Sequence, residues 1–201
     1  MSFRKENKFR LTVSDMKLLK SELISKGMAE LYPEREVQST YLDTREFKMF
    51  QDSNEGVLPR KKIRIRTYNN QNKFTQETKI SSEEGRYKKS KVLFFDCQDL
   101  YNCKSIVDKD YGIIIPTILI SYSRSYFSFR GLRFTFDNNI EYTNLRAQIP
   151  WKCRDPECVM EIKTEFNIED DYISDVIKMA TSRFSKYCRG IEMLNELANY
   201  N

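Results

Sequence analysis

Residues 60–68 read RKKIRIRTY. In a β-strand successive side chains point to opposite faces. Arg60, Lys62, Arg64 and Arg66 then share one face, and Ile63 and Ile65 lie on the other. Four like charges on one face repel each other unless something anionic meets them. The rest of the chain narrows what that counterpart is.

The same pattern returns along the sequence. An expected first strand carries Glu6, Lys8 and Arg10 on one side. A strand at 73–80 shows Glu77 and Lys79, and one at 86–95 shows Lys89 and Lys91. Tyr122, Arg124 and Tyr126 share a side of 117–129. Arg133, Thr135 and Asp137 oppose Phe134 and Phe136, while Glu161, Lys163 and Glu165 oppose Met160 and Ile162. An antiparallel sheet with one face in water would display charges this way. Strands with apolar backs and charged fronts can also close into a barrel with a polar interior. A buried unpaired charge costs several kcal/mol, against about 5–15 kcal/mol of net stability for a whole domain. Such an interior must therefore hold water, carboxylates or a polyanion. Arginines in Arg-x-Arg and Tyr-x-Arg spacing suit bidentate grip on phosphate oxygens.

The chain has 201 residues, a net charge of +5, five cysteines and no histidine. Its length suits a single domain spanning 1–201. The absence of histidine removes histidine-dependent triads, so any chemistry must rest on carboxylates, lysine, arginine, tyrosine or metal. The odd cysteine count points to free thiols, with CRDPEC (153–158) read as a loop rather than half a zinc site. No run of 18 apolar residues suggests a membrane span, and MSFRKENKFR lacks a signal peptide's apolar stretch, so a cytoplasmic location is expected.

Coarse elements follow. Strands are expected at 6–13, 37–44, 60–68, 73–80, 86–95, 117–129, 132–137 and 158–166. Helices are expected at 14–27, capped by Ser14, and at 45–50, 97–107, 169–182 and 190–199. Loops are expected at 52–56 and 144–157. Strands clustered without βαβ alternation imply an antiparallel α+β fold, a sheet or closed barrel with flanking helices.

The pieces ENKFRL, TYLDT, RKKIRIRTY, TQETK, KKSKV, YSRSYF, RFTFD, MEIKTE and RFSKYCRG, in this order from Glu6 to Gly190, resemble the VTC domain. That family is the polyphosphate polymerase branch of the triphosphate tunnel (CYTH-like) superfamily. The resemblance implies an antiparallel eight-stranded β tunnel, a closed barrel, whose basic lumen binds nucleotide triphosphate and polyphosphate. It implies phosphate-binding roles for Lys8, Arg64, Arg66, Lys79, Lys89, Tyr122, Arg124, Arg133 and Lys186, with Lys88 and Lys91 as close competitors of Lys89. Arg64, Arg66, Arg124 and Lys186 would act in catalysis. Glu161 would hold a divalent metal, manganese or magnesium. The hydrolytic relatives carry Glu-x-Glu-x-Lys on the first strand, whereas this chain has Arg4-x-Glu6-x-Lys8. The loss of one carboxylate favours the polymerase branch.

The implied activity is transfer of the γ-phosphate of ATP to a growing polyphosphate chain, a phosphotransferase reaction. Two alternatives stay open: a non-catalytic module that binds polyphosphate or nucleotide, and a tunnel triphosphatase or nucleotide cyclase. Nucleic acid is the weaker partner, since Tyr122 and Tyr126 on a strand fit packing better than base stacking.

Overall fold

The computed structural model describes residues 4–69, 71–93, 105–165 and 170–198. Its strands are β1 (Arg4–Thr12), β2 (Ala29–Asp43), β3 (Arg60–Tyr68), β4 (Phe74–Ser82), β5 (Gly85–Leu93), β6 (Ile106–Asp108), β7 (Gly112–Phe129), β8 (Leu132–Asn144), β9 (Lys152–Arg154) and β10 (Glu157–Glu165). Its helices are α1 (Val13–Ser25), α2 (Lys48–Glu55), α3 (Asp170–Val176) and α4 (Lys186–Ala198). The strands pair in the order β1-β10-β8-β7-β2-β3-β4-β5, with β6 on β7 and β9 on β8. The fold is α+β and rich in antiparallel sheet, as the patterning implied. It is not a closed eight-stranded barrel. The sheet has ten strands, and among the described residues no pairing joins β1 to β5 at the two ends of the order. Residues 86–92 of β5 are exposed and include Arg86, Lys88, Lys89 and Lys91. Cations of this kind guard an edge strand against further pairing.

The contacts of the chain fall into two compact units. The first comprises Met1–Arg35, Tyr122–Ile140 and Asp155–Phe184, and the second Glu36–Ser121, Glu141–Arg154 and Ser185–Asn201.

In the first unit, β1 pairs with β10 and β10 with β8, so that Phe9 stands opposite Met160 and Met160 opposite Phe136. Alternation sends these side chains to one face, with Leu11, Ile162, Phe127, Phe129 and Phe134. Met16 and Leu23 of α1 and Ile173 of α3 cover that face. Helix α1 starts at Thr12, whose Oγ1 accepts the amide of Asp15, and Asp15 suits the positive end of the helix dipole. The cap is therefore Thr12 and not Ser14. Gly27, at φ +101°, supplies the left-handed turn after the last helical turn.

In the second unit, Leu42, Ile63, Ile65, Phe74 and Ile114 form a smaller apolar cluster with Met49 of α2. Lys61, on the same side of β3 as Ile63, is buried and pairs with Asp108, Nζ to Oδ1 2.9 Å, and with Asp110. Helix α2 begins three residues later than expected and runs through 52–55, which the sequence presented as a loop. Its Asp52 accepts the Tyr111 hydroxyl at 2.8 Å and the Lys48 ammonium at 2.7 Å, contacts that offset the poor helix propensity of Asp-Ser-Asn.

Other boundaries moved. Much of the helix expected over 97–107 lies outside the described residues, as do Cys97 and Cys103, but Ile106–Asp108 is a strand. The loop expected at 144–157 contains β9. The helix expected at 169–182 spans Asp170–Val176, and the last helix begins at Lys186 rather than 190. Cys153, Cys158 and Cys188 are free thiols. No helix among the described residues is long and apolar enough to cross a membrane.

Candidate functional site

Strand register fixes which charged side chains meet. In the second unit Tyr41 stands opposite Arg64, and Ser39 opposite Arg66. Across β4, Arg64 stands opposite Glu77, and Lys62 opposite Lys79. Across β5, Lys79 stands opposite Lys88, while Lys89 stands opposite Thr78, the partner of Ile63. Paired residues share a face, so Lys88 belongs with Arg64, and Lys89 lies on the other side of the sheet. The sequence pointed to Lys89; the register puts Lys88 in that place.

Glu77 is what Arg64 and Arg66 of RKKIRIRTY face, while Arg60 donates to the Gly56 and Val57 carbonyls. Its side chain is 6% exposed. Arg64 Nε donates to its Oε2 at 2.7 Å, Arg66 Nη1 lies 3.6 Å from the same oxygen, and Lys88 binds Oε1. Burial alone would raise this carboxyl, but Arg64, then Arg66 and Lys88, hold it at about 2. The arginines are also tethered from β2 by neutral hydroxyls. Arg64 Nη1 donates to the Tyr41 hydroxyl at 2.8 Å, and Arg66 Nε to Ser39 Oγ at 2.9 Å. Tyr41 reports the local field. Burial pushes its phenol up, yet Arg64, Arg66 and Lys79 outweigh burial and bring it down to about 8.

The first turn of helix α4 meets this face of β2. Tyr187 stacks on Tyr41 with ring centroids 5.0 Å apart and planes at 12°. Its hydroxyl donates to Asp43, a fully buried carboxylate that also accepts the amides of Thr44, Met49 and Phe50 at 2.7–2.9 Å. Burial and then Asp43 raise the Tyr187 phenol far above its usual range, so it stays protonated as a donor. Asp43 thus links the end of β2, the start of α2 and α4. Lys62 Nζ donates to Ser185 Oγ at 2.8 Å, immediately before Lys186 opens α4.

The first unit holds the remaining expected residues. On the face of β10 away from the core, Lys163 stands between Glu6 and Arg133, and Glu161 between Lys8 and Thr135. Lys163 Nζ lies 3.1 Å from Glu161 and 3.3 Å from Glu6. Burial disfavours its charge, but Glu161 and then Glu6 raise its pKa above the ordinary value. Arg124 makes a bidentate pair with Asp137, with Nη2 to Oδ2 at 2.6 Å. Asp137 is fully buried and outweighs the cost of burying the guanidinium, whose pKa is raised. Arg124 also lies 5.2 Å from the Tyr122 ring centroid. Arg133 lies 5.6 Å from the Tyr126 ring centroid, and its buried Nε has no hydrogen-bond partner among the described residues. Lys8 Nζ donates to the Phe184 carbonyl at 2.9 Å.

Of the expected residues, Lys8, Tyr122, Arg124, Arg133 and Glu161 lie in the first unit. Arg64, Arg66, Lys79, Lys89 and Lys186 lie in the second. Glu77, Tyr41 and Asp137 enter as site residues to which the sequence reading gave no role, and Lys88, there a competitor of Lys89, joins them. Glu77 and Asp137 share strand parity with the expected cations, so the sequence carried that signal. Tyr41 and Lys88 could be placed only by register.

Among the described residues no group of three carboxylates or thiols is poised to hold a metal. Glu161 offers one carboxylate already engaged by Lys163. This donor set does not make a resident all-protein site. It fits a hard cation that arrives with its other oxygen ligands on a phosphate chain, the usual mode for magnesium.

The VTC domain family model matches residues 3–102 and 95–195. No curated protein matches the chain. Among solved structures, a conserved hypothetical protein of Pyrococcus furiosus aligns with TM-score 0.57 at 12% identity, covering 92% of this chain and 99% of that one. A suggested adenylate cyclase of Vibrio parahaemolyticus aligns with TM-score 0.55 at 12% identity, covering 95% and 98%. A suggested adenylyl cyclase from Hippeastrum, reported to have a dominant triphosphatase activity, aligns with TM-score 0.50 at 16% identity, covering 88% and 85%. At these identities the likeness is one of fold.

Proposed function

Because the chain belongs to the VTC domain family, we propose that it binds ATP or another nucleoside triphosphate, together with polyphosphate, through its basic strand faces and transfers the terminal phosphoryl group of ATP to a growing polyphosphate chain. The observation that supports this reading most is the gathering of Arg64, Arg66, Lys79 and Lys88 around Tyr41 on one face of the sheet, and the phenol responds to their field. A buried phenol there is held at about 8 by Arg64, Arg66 and Lys79, even with Glu77 beside them. A face that favours a buried phenolate also favours phosphate oxygens.

In the second unit Arg64, Arg66, Lys79, Lys88 and Lys186 bind phosphate oxygens. Lys88 takes the role first given to Lys89. In the first unit Lys8, Tyr122, Arg124 and Arg133 do so, and Glu161 meets the manganese or magnesium that the triphosphate brings. When bound, that metal supplies positive charge to the oxygens around the transferred phosphorus. Phosphoryl transfer has a loose transition state, so the contribution of Arg64, Arg66, Arg124 and Lys186 is alignment and charge neutralisation. An oxygen of the chain-end phosphate bonds to the γ-phosphorus, the bond to the β-phosphate oxygen breaks, and ADP leaves. The attacking oxygen is already anionic, so no general base is needed, in keeping with a chain that has no histidine.

A second reading, binding without transfer, is favoured by the engagement of Glu161 with Lys163 at 3.1 Å. The binding claim common to both is tested by titrating ATP and tripolyphosphate into wild type and an Arg64→Ala, Arg66→Ala variant at several salt concentrations. The variant should bind at least about tenfold more weakly, because each charge-assisted hydrogen bond contributes about 1.5–3 kcal/mol. Its affinity should also respond less to salt. Unchanged affinity would place the site elsewhere.

A further inference from the structure

We infer that Glu77 is an internal occupant of the Arg64–Arg66 site, a carboxylate that a phosphate chain must displace in order to bind there. The inference rests on the reading of this face as phosphate-binding. It concerns which anions gain entry.

The geometry is that of a ligand already in place. Arg64 presents both Nε and Nη2 to Glu77 Oε2, at 2.7 and 2.5 Å. This is the fork that guanidinium also offers to phosphate. Arg66 approaches the same oxygen at 3.6 Å, and Lys88 takes the other. Glu77 therefore uses the donors that a phosphate would need. The arginines do not depend on it alone for their position. Ser39 and Tyr41 hold them from β2, each through a neutral hydroxyl that accepts one N–H. When the carboxylate swings away on its flexible side chain, Arg64 and Arg66 stay aimed. Register keeps Lys62 and Lys79 on the same face.

Displacement has a fixed cost, independent of the length of the incoming anion. Orthophosphate must meet that cost with one phosphoryl group, whereas a triphosphate spreads several charges over Arg64, Arg66, Lys79 and Lys88. Glu77 thereby sets a threshold against short phosphates.

The test uses calorimetric titration of orthophosphate, pyrophosphate and tripolyphosphate into the full chain and three variants. Glu77→Gln should tighten tripolyphosphate binding by about tenfold or more, the scale of one charge-assisted contact, and bring pyrophosphate into measurable range. Glu77→Asp draws the carboxylate back by one methylene, keeps its charge, and should tighten binding by a smaller factor. Glu141→Gln makes the same change in net charge at a partly exposed pair with Lys152 and should alter affinity by less than about twofold. Weaker or unchanged binding in both Glu77 variants, with wild type still binding, would overturn this inference alone. It would make Glu77 a support for the arginines. An equal gain in Glu141→Gln would also overturn it, since bulk charge would then be the cause. Absence of binding by every variant and wild type would overturn it together with the phosphate-binding reading.

Discussion

Acidification should remove a defined part of the stability, and Glu77 shows how much. Its folded pKa is about 2, against an ordinary 4.5. The side chain is 6% exposed and Arg64 and Arg66 are nearly as buried, so solvent screens those two pairs little, whereas the pair with the half-exposed Lys88 is screened more. A carboxylate depressed on folding stabilises the native state above its unfolded pKa, and that contribution is lost as pH falls through the folded value. The window here runs from about 4.5 down to 2, and the gap is worth about 3 kcal/mol. Protonated Glu77 resembles glutamine in shape and charge. The stability difference between wild type and Glu77→Gln should therefore be about 3 kcal/mol at pH 7 and should shrink toward zero as the pH nears 2. Urea unfolding followed by Trp151 fluorescence and circular dichroism at several pH values measures both curves. Other carboxylates contribute equally to each and cancel in the difference. A difference that stays constant with pH would assign the effect of the substitution to packing and refute the electrostatic account of Arg64, Arg66 and Lys88.

Two further outcomes follow from particular contacts. Tyrosinate absorbance should show one phenol titrating near 8, the Tyr41 value. Because this phenol is depressed on folding, stability should rise between pH 8 and 10, and bound tripolyphosphate should move the midpoint upward by competing for Arg64. Gly190→Ala should destabilise the chain by about 1–3 kcal/mol in thermal or urea unfolding, since the new Cβ would lie 2.5 Å from Tyr142 Cδ1 and 2.6 Å from Ile118 Cδ1, both on fully buried side chains.

How far the sequence disclosed this arrangement varied with the length and contrast of its patterns. RKKIRIRTY was legible as a strand because basic and apolar residues alternate from Lys62 to Arg66, although Lys61 breaks the alternation on the apolar side. The first helix was legible from Met16, Leu19 and Leu23 and the glycine stop. Residues 29–36, AELYPERE, were not read as strand, because they are exposed throughout and contain Pro33. Strands β6 and β9 have three residues each, too few to show a period. Closure was not legible at all, since an open and a closed sheet share the same local alternation. Parity alone places Arg133 and Glu161 on one face, and it marks Glu77 as a counterion on the same ground. The choice of Lys89 over Lys88 failed because one residue of register exchanges the two faces of a strand, and nothing in KKSKV fixes that register.

The measurement closest to the central claim is product analysis after incubation of wild type with ATP and manganese, with Glu161→Gln alongside. The account predicts long polyphosphate and ADP from wild type, and retained ATP binding with product formation lower by orders of magnitude in Glu161→Gln, since metal charge contributes several kcal/mol to the transition state. Orthophosphate or cyclic nucleotide as the sole product from wild type, or tight ATP binding with no product, would contradict polyphosphate synthesis.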